Sequence, residues 1–385
     1  MKSITFFMHN IYAMGGTVKS ISQLANTLAK KGHKIEIISV FKGDIKPYFE
    51  LHDSIVIKPL INYQLHPKNF KDLFFNRINK YTSFSKPKVL SKNEPGLNQF
   101  SRYIEKKMIR SIRKIDTDVL IGTRASFNIL IAKYAQNNIE TIGMEHMNFE
   151  AHPEAFQQEI IDAYTALDKV TTLTTVDKIK YQSFIQTPVY VVPNILDEPR
   201  LTITKEKIIT AAGRLEYEKG FDLLIDSINP IQHIVRKFGY KVHIFGEGQE
   251  REALQQLIDR YNLSDIVLLQ GSTQQLNEKL AISEITVIPS RNEGFGMVIL
   301  EAMNQSNIVV SFSGNAGPDS IIKNNVNGYL IDHTNVTELS NKLRRLINQE
   351  FKEQVLIENG FKTVAAYAPE AVYQQFSNML NSHTP

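Results

Sequence analysis

Two hydrophobic rhythms alternate along this chain from end to end. Short apolar runs are followed by longer stretches in which apolar residues recur every third or fourth position. The first pattern predicts buried strands and the second predicts amphipathic helices. In the first half, strands are predicted at Ser3–Met8, Ile35–Val40, Val119–Gly122, Thr141–Met144, Val170–Thr174 and Tyr190–Val192. Between the first two, Val18, Ile21, Leu24, Ala25 and Leu28 keep helical spacing over Thr17–Lys31, and Gly32 ends the helix. Leu196–Lys205, with Pro199 and several charges, breaks the rhythm and reads as a linker. A second series follows, with strands at Ile208–Ala212, Lys241–Phe245, Ile266–Leu269, Ile285–Ile288 and Ile308–Ser311. Phe221, Leu224, Ile225 and Ile228 mark its first helix. A last helix, Pro369–Asn381, has no strand after it. Alternation of this kind predicts an α/β protein of two Rossmann-like, doubly wound domains with parallel sheets and a cleft between them. Their expected extents are residues 1–196 and 197–368, with the terminal helix, 369–385, returning to the first.

Composition narrows the chemistry. The chain has 385 residues, of which 42% are hydrophobic and 22% charged, as in a folded enzyme and unlike a disordered segment. Cysteine is absent, which excludes disulfides, thiolate zinc sites, iron–sulfur clusters and thiol catalysis. No run of eighteen apolar residues occurs, and the N-terminus lacks the pattern of a secretory signal, so a cytoplasmic location is expected. The net charge of +4 is too small to point to nucleic acid. It is unevenly spread, however: residues 66–114 hold thirteen Lys/Arg against Asp72, Glu94 and Glu105. Phe70, Phe74, Phe75, Tyr81, Phe84, Phe100 and Tyr103 interleave with these charges. Such a segment suits an anionic membrane surface or an anionic polymer. The plainer alternative is a solvated helical excursion with its aromatics in the core.

In open parallel sheets, ligands bind beyond the carboxyl ends of the strands, and four loops there carry unusual residues. Gly15 and Gly16 precede a helix, where bare backbone admits a ligand to free N–H groups; a glycine is also common there for packing alone. Gly213–Gly220 places Arg214 and Lys219 before another helix, a fork and a point charge suited to a diphosphate, although Glu216 and Glu218 between them allow an ordinary surface loop. Glu293, Gly294, Phe295 and Gly296 lead into an apolar helix that contains Glu301. A carboxylate in such a helix needs a partner, and a ribose diol would serve; a structural salt bridge is the alternative. Glu293 is placed to meet sugar hydroxyls while the neighbouring amides meet phosphate or sugar. His146, just past an apolar strand, either faces the cleft or is an ordinary loop histidine. The one Asp-x-Asp, Asp116 to Asp118, precedes a strand at the wrong end for a ligand, so no metal site is expected. Gly246 and Gly248 lack the third glycine of a dinucleotide fingerprint, with Arg251 in its place.

Taken together these residues resemble retaining glycosyltransferase family 4, which has the GT-B fold. The resemblance rests on Gly-Arg-Leu-x-x-x-Lys-Gly at 213–220, Phe-Gly-Glu-Gly at 245–248, Pro-Ser-x-x-Glu-Gly-Phe-Gly-x-x-x-x-Glu-Ala at 289–302 and Asn-Gly-Tyr-Leu at 327–330. It implies transfer of a sugar from a nucleotide diphosphate, expected to be a UDP-sugar, with retention and without metal. By the same resemblance, Arg214 and Lys219 bind the diphosphate, Glu301 holds ribose, and Glu293 contacts the donor sugar. Gly294, Phe295 and Gly296 line the donor, Gly16 reaches the phosphates, and His146 lies near the sugar. Gly314 to Asp319 departs from the common Gly-Gly-x-Pro-Glu, in a variant similar to enzymes that build capsule, lipopolysaccharide and teichoic acid decorations. The expected acceptor is an anionic glycopolymer of wall teichoic acid type, the alternative a lipid-linked oligosaccharide, with work at the inner face of the cell membrane. A non-catalytic sugar-nucleotide binder is a distant third, disfavoured because every candidate catalytic position is filled.

Overall fold

A computed structural model describes residues 1–62, 86–94, 96–349 and 353–382. The chain divides into two compact units, Met1–Ile195 with Pro369–Pro385, and Leu196–Ala368.

The first unit holds strands β1 (Ser3–Met8), β2 (Lys34–Lys42), β3 (Val56–Asn62), β4 (Val119–Gly122), β5 (Glu140–Met144), β6 (Lys169–Thr172) and β7 (Val189–Val191). Its helices are α1 (Gly16–Lys30), α2 (Arg102–Ile112), α3 (Ala125–Tyr134), α4 (Glu154–Tyr164) and α5 (Thr175–Gln182). The strands form one parallel sheet in the order β3-β2-β1-β4-β5-β6-β7. Helices on both faces bury the central strands, which is why those strands read as continuous apolar runs. The helical spacing seen in α1 buries Ile21, Leu24, Ala25 and Leu28 against Ile4, Phe6 and Ile37 of the sheet. The ends of β2, β5, β6 and β7 shift by one or two residues from the apolar runs, and one strand is additional. β3 was not anticipated: it is the sheet's edge, is largely solvent-facing, and carries Pro59, which only an edge strand tolerates well. β6 begins one residue earlier than the apolar run, at the buried Lys169. Its ammonium donates to Glu140 Oε1 at 2.7 Å and to the carbonyl of Met379 at 2.8 Å.

That carbonyl belongs to the terminal helix of the described residues, Pro369–Asn381, which packs Val372, Phe376, Met379 and Leu380 into the first unit's core beside α1. Lys2 also reaches Glu140 (2.6 Å) and the Leu380 carbonyl (3.4 Å). Two ammoniums therefore meet the carbonyl end of this helix, where its dipole favours positive charge. Asp118 accepts hydrogen bonds from Ser3 N and Oγ at 2.6 and 2.8 Å, so it ties two strand starts together.

The second unit contains β8 (Glu206–Ala212), α6 (Phe221–Ile228), α7 (Gln232–Phe238), β9 (Lys241–Phe245), α8 (Arg251–Arg260), β10 (Val267–Gly271), α9 (Leu276–Ile282), β11 (Ser283–Ile288), α10 (Met297–Asn304), β12 (Ile308–Phe312), α11 (Ala316–Ile321), β13 (Tyr329–Ile331), α12 (Val336–Ile347) and α13 (Glu353–Ala365). Its parallel sheet runs β10-β9-β8-β11-β12-β13. Ile209 pairs with Val242 on one side and Ile285 on the other, and all three are buried. The stretch 196–205, which reads as a linker, lies along this unit. Lys205 donates to the carbonyls of Leu280 (3.3 Å), Ser283 (2.6 Å) and Gln305 (2.5 Å), and Arg200 stands over the Phe361 ring at 3.3 Å. Burial lowers the Lys205 ammonium to about 8.

In each sheet the chain order reverses beside its first strand, between β1 and β4 and between β8 and β11. Connections leave in opposite directions at such a point and open a crevice at the strands' carboxyl ends.

Candidate functional site

The loops after β8 and β11 flank the second sheet's reversal, and they carry the Arg/Lys run and the first glutamate of the Glu-x7-Glu element. Lys219 Nζ stands 2.8 Å from Glu293 Oε2. Both side chains are less than a fifth exposed. Ser290 Oγ donates to the same carboxylate oxygen at 3.1 Å, and the Glu293 amide donates to Asn315 Oδ1 at 3.0 Å. Asn315 in turn donates to the Ser290 carbonyl at 3.2 Å, so this glutamate is fixed from three sides. Arg214 is far more open: it pairs with Glu218 at 2.5 Å, with the guanidinium side chain 70% exposed. The two cations thus share one loop, one held in place and one free to move onto an arriving anion.

Glycines let the backbones come this close. Gly220, at φ 64°, caps α6 from the left-handed region, and a Cβ there would lie 2.0 Å from the Pro289 carbonyl oxygen. A Cβ on Gly246 would lie 1.8 Å from the Gly213 carbonyl oxygen, and one on Gly248 would lie 2.2 Å from that of Leu215. A Cβ on Gly317 would lie 2.2 Å from the Phe295 carbonyl oxygen. Gly296, at φ 82°, opens α10 without a side-chain cap, and its carbonyl accepts from the Ile299 amide at 2.9 Å. Glu301 sits in that helix at 7% exposure, among Ile299, Leu300, Ala302 and Met303.

A cross-loop clasp escaped the sequence reading. Arg291 donates to both carboxylate oxygens of Asp222, at 2.8 and 2.6 Å, and to the Tyr217 carbonyl at 2.8 Å, while lying over the Tyr217 ring at 3.9 Å. The amides of Arg291 and Asn292 donate to the Glu218 carbonyl. The clasp holds the two site loops together. Its members lie 69 and 74 residues apart in sequence, so local pattern could not reveal it.

Gly16 and His146 lie on the first unit. Gly15 caps α1 without a side-chain hydrogen bond, and a Cβ on Gly16 would meet nothing within 4 Å among the described residues. Packing therefore does not demand glycine at position 16. His146 lies two residues past β5; its Nε2 is buried without a partner among the described residues, and burial lowers the ring to about 4. It is a neutral imidazole at pH 7. Arg124, Glu94 and His9 also stand at this end of the sheet and went unremarked as site candidates. Arg124 pairs with the buried Glu94, and burial, with Arg124 nearby, lowers His9 to about 4.

Much of the basic segment 66–114 lies outside the described residues, including Phe70, Phe74, Phe75, Tyr81 and Phe84. In the described part, Phe100 is a core residue, Ile104, Met108 and Ile112 seat α2, and Lys106 and Arg110 are exposed. Glu105, one of the segment's three acids, accepts hydrogen bonds from the amides of Lys88, Val89 and Leu90. Among the described residues no group of acidic and histidine side chains has the arrangement of a metal site, and no helix is long and apolar enough to cross a membrane.

Residues 195–363 match the family of glycosyl transferases group 1. An uncharacterized glycosyltransferase of Haemophilus influenzae is 28% identical over 356 residues, which cover 90% of this chain and 91% of that protein. The amylovoran biosynthesis glycosyltransferase AmsD of Erwinia amylovora is 26% identical over 393 residues, 99% of this chain and 100% of the relative. The poly(ribitol-phosphate) alpha-N-acetylglucosaminyltransferase of Staphylococcus aureus is 27% identical over 262 residues, 64% of this chain and only 51% of the relative. The crystal structure of S. aureus TarM in complex with fondaparinux, alpha-GlcNAc-glycerol and UDP superposes with a TM-score of 0.75 at 18% identity, over 99% of this chain and 100% of that one. The fold is therefore GT-B, as the resemblance implies, and its two parallel-sheet units are those the alternating pattern predicts. The matched segment includes both candidate site loops of the second unit.

Proposed function

We propose that this protein is a retaining glycosyltransferase that moves a sugar from a UDP-sugar to a bacterial cell-surface glycopolymer of wall teichoic acid type, without a metal ion. The observation that carries the reading is the Lys219–Glu293 pair beside Arg214 at the reversal of the second sheet. Breaking a glycosyl–phosphate bond builds negative charge on the departing diphosphate and positive charge on the sugar. Cations and amide dipoles fixed in advance at those oxygens lower the barrier, each such contact contributing on the order of 3 kcal/mol. In this reading Lys219 and Arg214 receive the diphosphate and Glu301 the ribose. Glu293, relieved of Lys219 by the phosphate, meets the donor sugar, and Gly294, Phe295 and Gly296 offer their amides. Gly16 and His146 of the first unit belong to the same reaction, and the first unit takes the acceptor.

A UDP donor is supported by the ligand of the TarM structure, and a polyol-phosphate acceptor by the name of the S. aureus relative. A lipid-linked oligosaccharide acceptor is the second reading. The match to AmsD, over 99% of this chain, is to a protein named for amylovoran biosynthesis and not for a polyol phosphate, which keeps this reading open. The basic segment 66–114 suits either acceptor, or a membrane surface, through its positive charge.

Purified protein should release UDP from one of a panel of UDP-sugars, and Lys219→Ala and Glu293→Ala should each lower release by about 10²- to 10³-fold. Mass spectrometry of products made on poly(ribitol phosphate) and on a lipid-linked saccharide separates the two acceptors. Turnover that needs a divalent cation, or product with inverted anomeric configuration, would contradict the mechanism.

A further inference from the structure

The first unit buries a polar cluster that the reading above leaves unused. Glu145, at the end of β5, is 3% exposed. Its Oε1 accepts hydrogen bonds from Asn128 Nδ2 at 2.8 Å and from the Tyr164 hydroxyl, and the Tyr181 hydroxyl lies beside the same carboxylate. His152, 6% exposed, holds Nε2 at 4.0 Å from Glu145 Oε2. Neither ring nitrogen of His152 has a hydrogen-bond partner among the described residues. Asn128, Tyr164, Tyr181 and His152 come from α3, α4, α5 and the loop before α4, and Arg124 adds positive charge from the start of α3. Burial pushes Glu145 up to about 7.

The sheet is shaped around this cluster. Gly122 and Gly143 are register partners on β4 and β5. A Cβ on Gly122 would lie 2.1 Å from Asn128 Oδ1, and one on Gly143 would lie 3.3 Å from the Asn128 amide. Two neighbouring strands thus give up side chains to house the amide that holds Glu145. An apolar core of equal volume would be at least as stable, since burying a carboxylate, an imidazole, an amide and two phenols is costly. What the buried carboxylate supplies instead is a fixed point, since Asn128 and Tyr164 donate to its Oε1 from two different helices. The segment it makes rigid begins at Glu145, whose amide donates to the Thr171 carbonyl at 2.9 Å, and the next residue is His146.

We infer that Glu145 is a positioning residue for sugar transfer: its buried carboxylate fixes the loop 145–152 and, through it, the imidazole of His146. The inference rests on the reading of His146 as a residue of that reaction. Steady-state kinetics of the full chain across pH, with the UDP-sugar it turns over, test it through four variants. Glu145→Ala lowers kcat between about ten- and a hundredfold, the scale of a misplaced catalytic group. The donor KM stays within about twofold, because the donor contacts proposed above lie mainly on the other unit. Glu145→Gln, which keeps the acceptor oxygen, recovers most of kcat and loses the step near pH 7 in the wild-type profile. Tyr164→Phe moves that step upward, because a donor to the ionised form is gone. His146→Ala loses at least as much kcat as Glu145→Ala. If His146→Ala is inactive while Glu145→Ala keeps wild-type kcat, the inference fails alone. If His146→Ala keeps wild-type kcat, the reading beneath it fails and takes the inference with it. A Glu145→Gln profile identical to wild type would also overturn it, and that variant serves where Glu145→Ala does not fold.

Discussion

The carboxyl ends of the two sheets treat charge in opposite ways. On the second sheet, Arg214 and Lys219 each sit beside a carboxylate within reach of solvent. On the first, His9, Glu94, Glu145 and His152 lie in surroundings whose burial moves each toward its neutral form. His146 is lowered to about 4 by burial as well. A loop that must meet a diphosphate needs cations that stay charged and can exchange one anion for another. A loop that must hold a fixed shape can be tied from below by groups that gain little from being charged. On the proposed reading, the contrast sets cations that receive the diphosphate apart from buried groups that hold the first unit's loops in place.

The sharpest way to break the contrast is Lys219→Ala. The expected loss in kcat is about 10²- to 10³-fold, the cost of removing one preorganised charge contact. Thermal stability should fall by less than activity, because Glu293 loses its counter-ion in a mostly buried pair but keeps the Ser290 hydroxyl as a donor. A large fall in Tm with an equal fall in activity would make the lysine structural.

Gly220→Ala comes next and should act on the fold. A left-handed φ of 64° and a Cβ 2.0 Å from a carbonyl oxygen predict a loss of about 2 kcal/mol or more, measured by denaturant unfolding. An unchanged midpoint would mean that the loop after β8 is not pinned against β11.

A graded effect is expected from pH. Folding raises Glu145 to about 7, so the folded state binds the extra proton between its ordinary value and 7. That contribution is present at low pH and is lost as pH rises through about 7. Folding lowers His9 and His146 to about 4, so their contribution runs the other way and is lost as pH falls from the ordinary histidine range. Glu145→Gln should therefore gain Tm relative to wild type as pH rises from 5 to 8. A difference that stays flat across this range would contradict the assignment.

The smallest effect is Arg214→Ala on stability, expected within about 0.5 kcal/mol because the pair with Glu218 is open to solvent. UDP affinity in the same variant should still fall measurably by calorimetry. A stability loss with unaltered UDP affinity would reverse the roles assigned to the open and the held cation.

Local pattern carried the fold well where burial is two-sided. Val119–Gly122 and Lys241–Phe245 were legible as strands, and Phe221, Leu224, Ile225 and Ile228 as one helix face, because each apolar side chain reaches a core. It failed where polar residues do an apolar residue's work. Val56–Asn62 is an edge strand with little buried face, and Lys169 is a buried strand residue because its charge is met at Glu140 and Met379. The site loops were legible from their glycines and charges. Arg291 and Asp222 were not, because only the fold brings them together. The Glu145 cluster did leave a local trace: Asn128 is the polar outlier in the apolar run Phe127–Ile131, opposite two strand glycines.

The central claim is that the second unit catches the diphosphate of departing UDP between Arg214 and Lys219 while Glu301 holds the ribose. A crystal structure of the full chain with UDP tests it most directly. The account predicts phosphate oxygens within hydrogen-bond distance of both cations and the ribose hydroxyls on Glu301. Phosphates bound elsewhere, with the Lys219–Glu293 pair still closed, would contradict it.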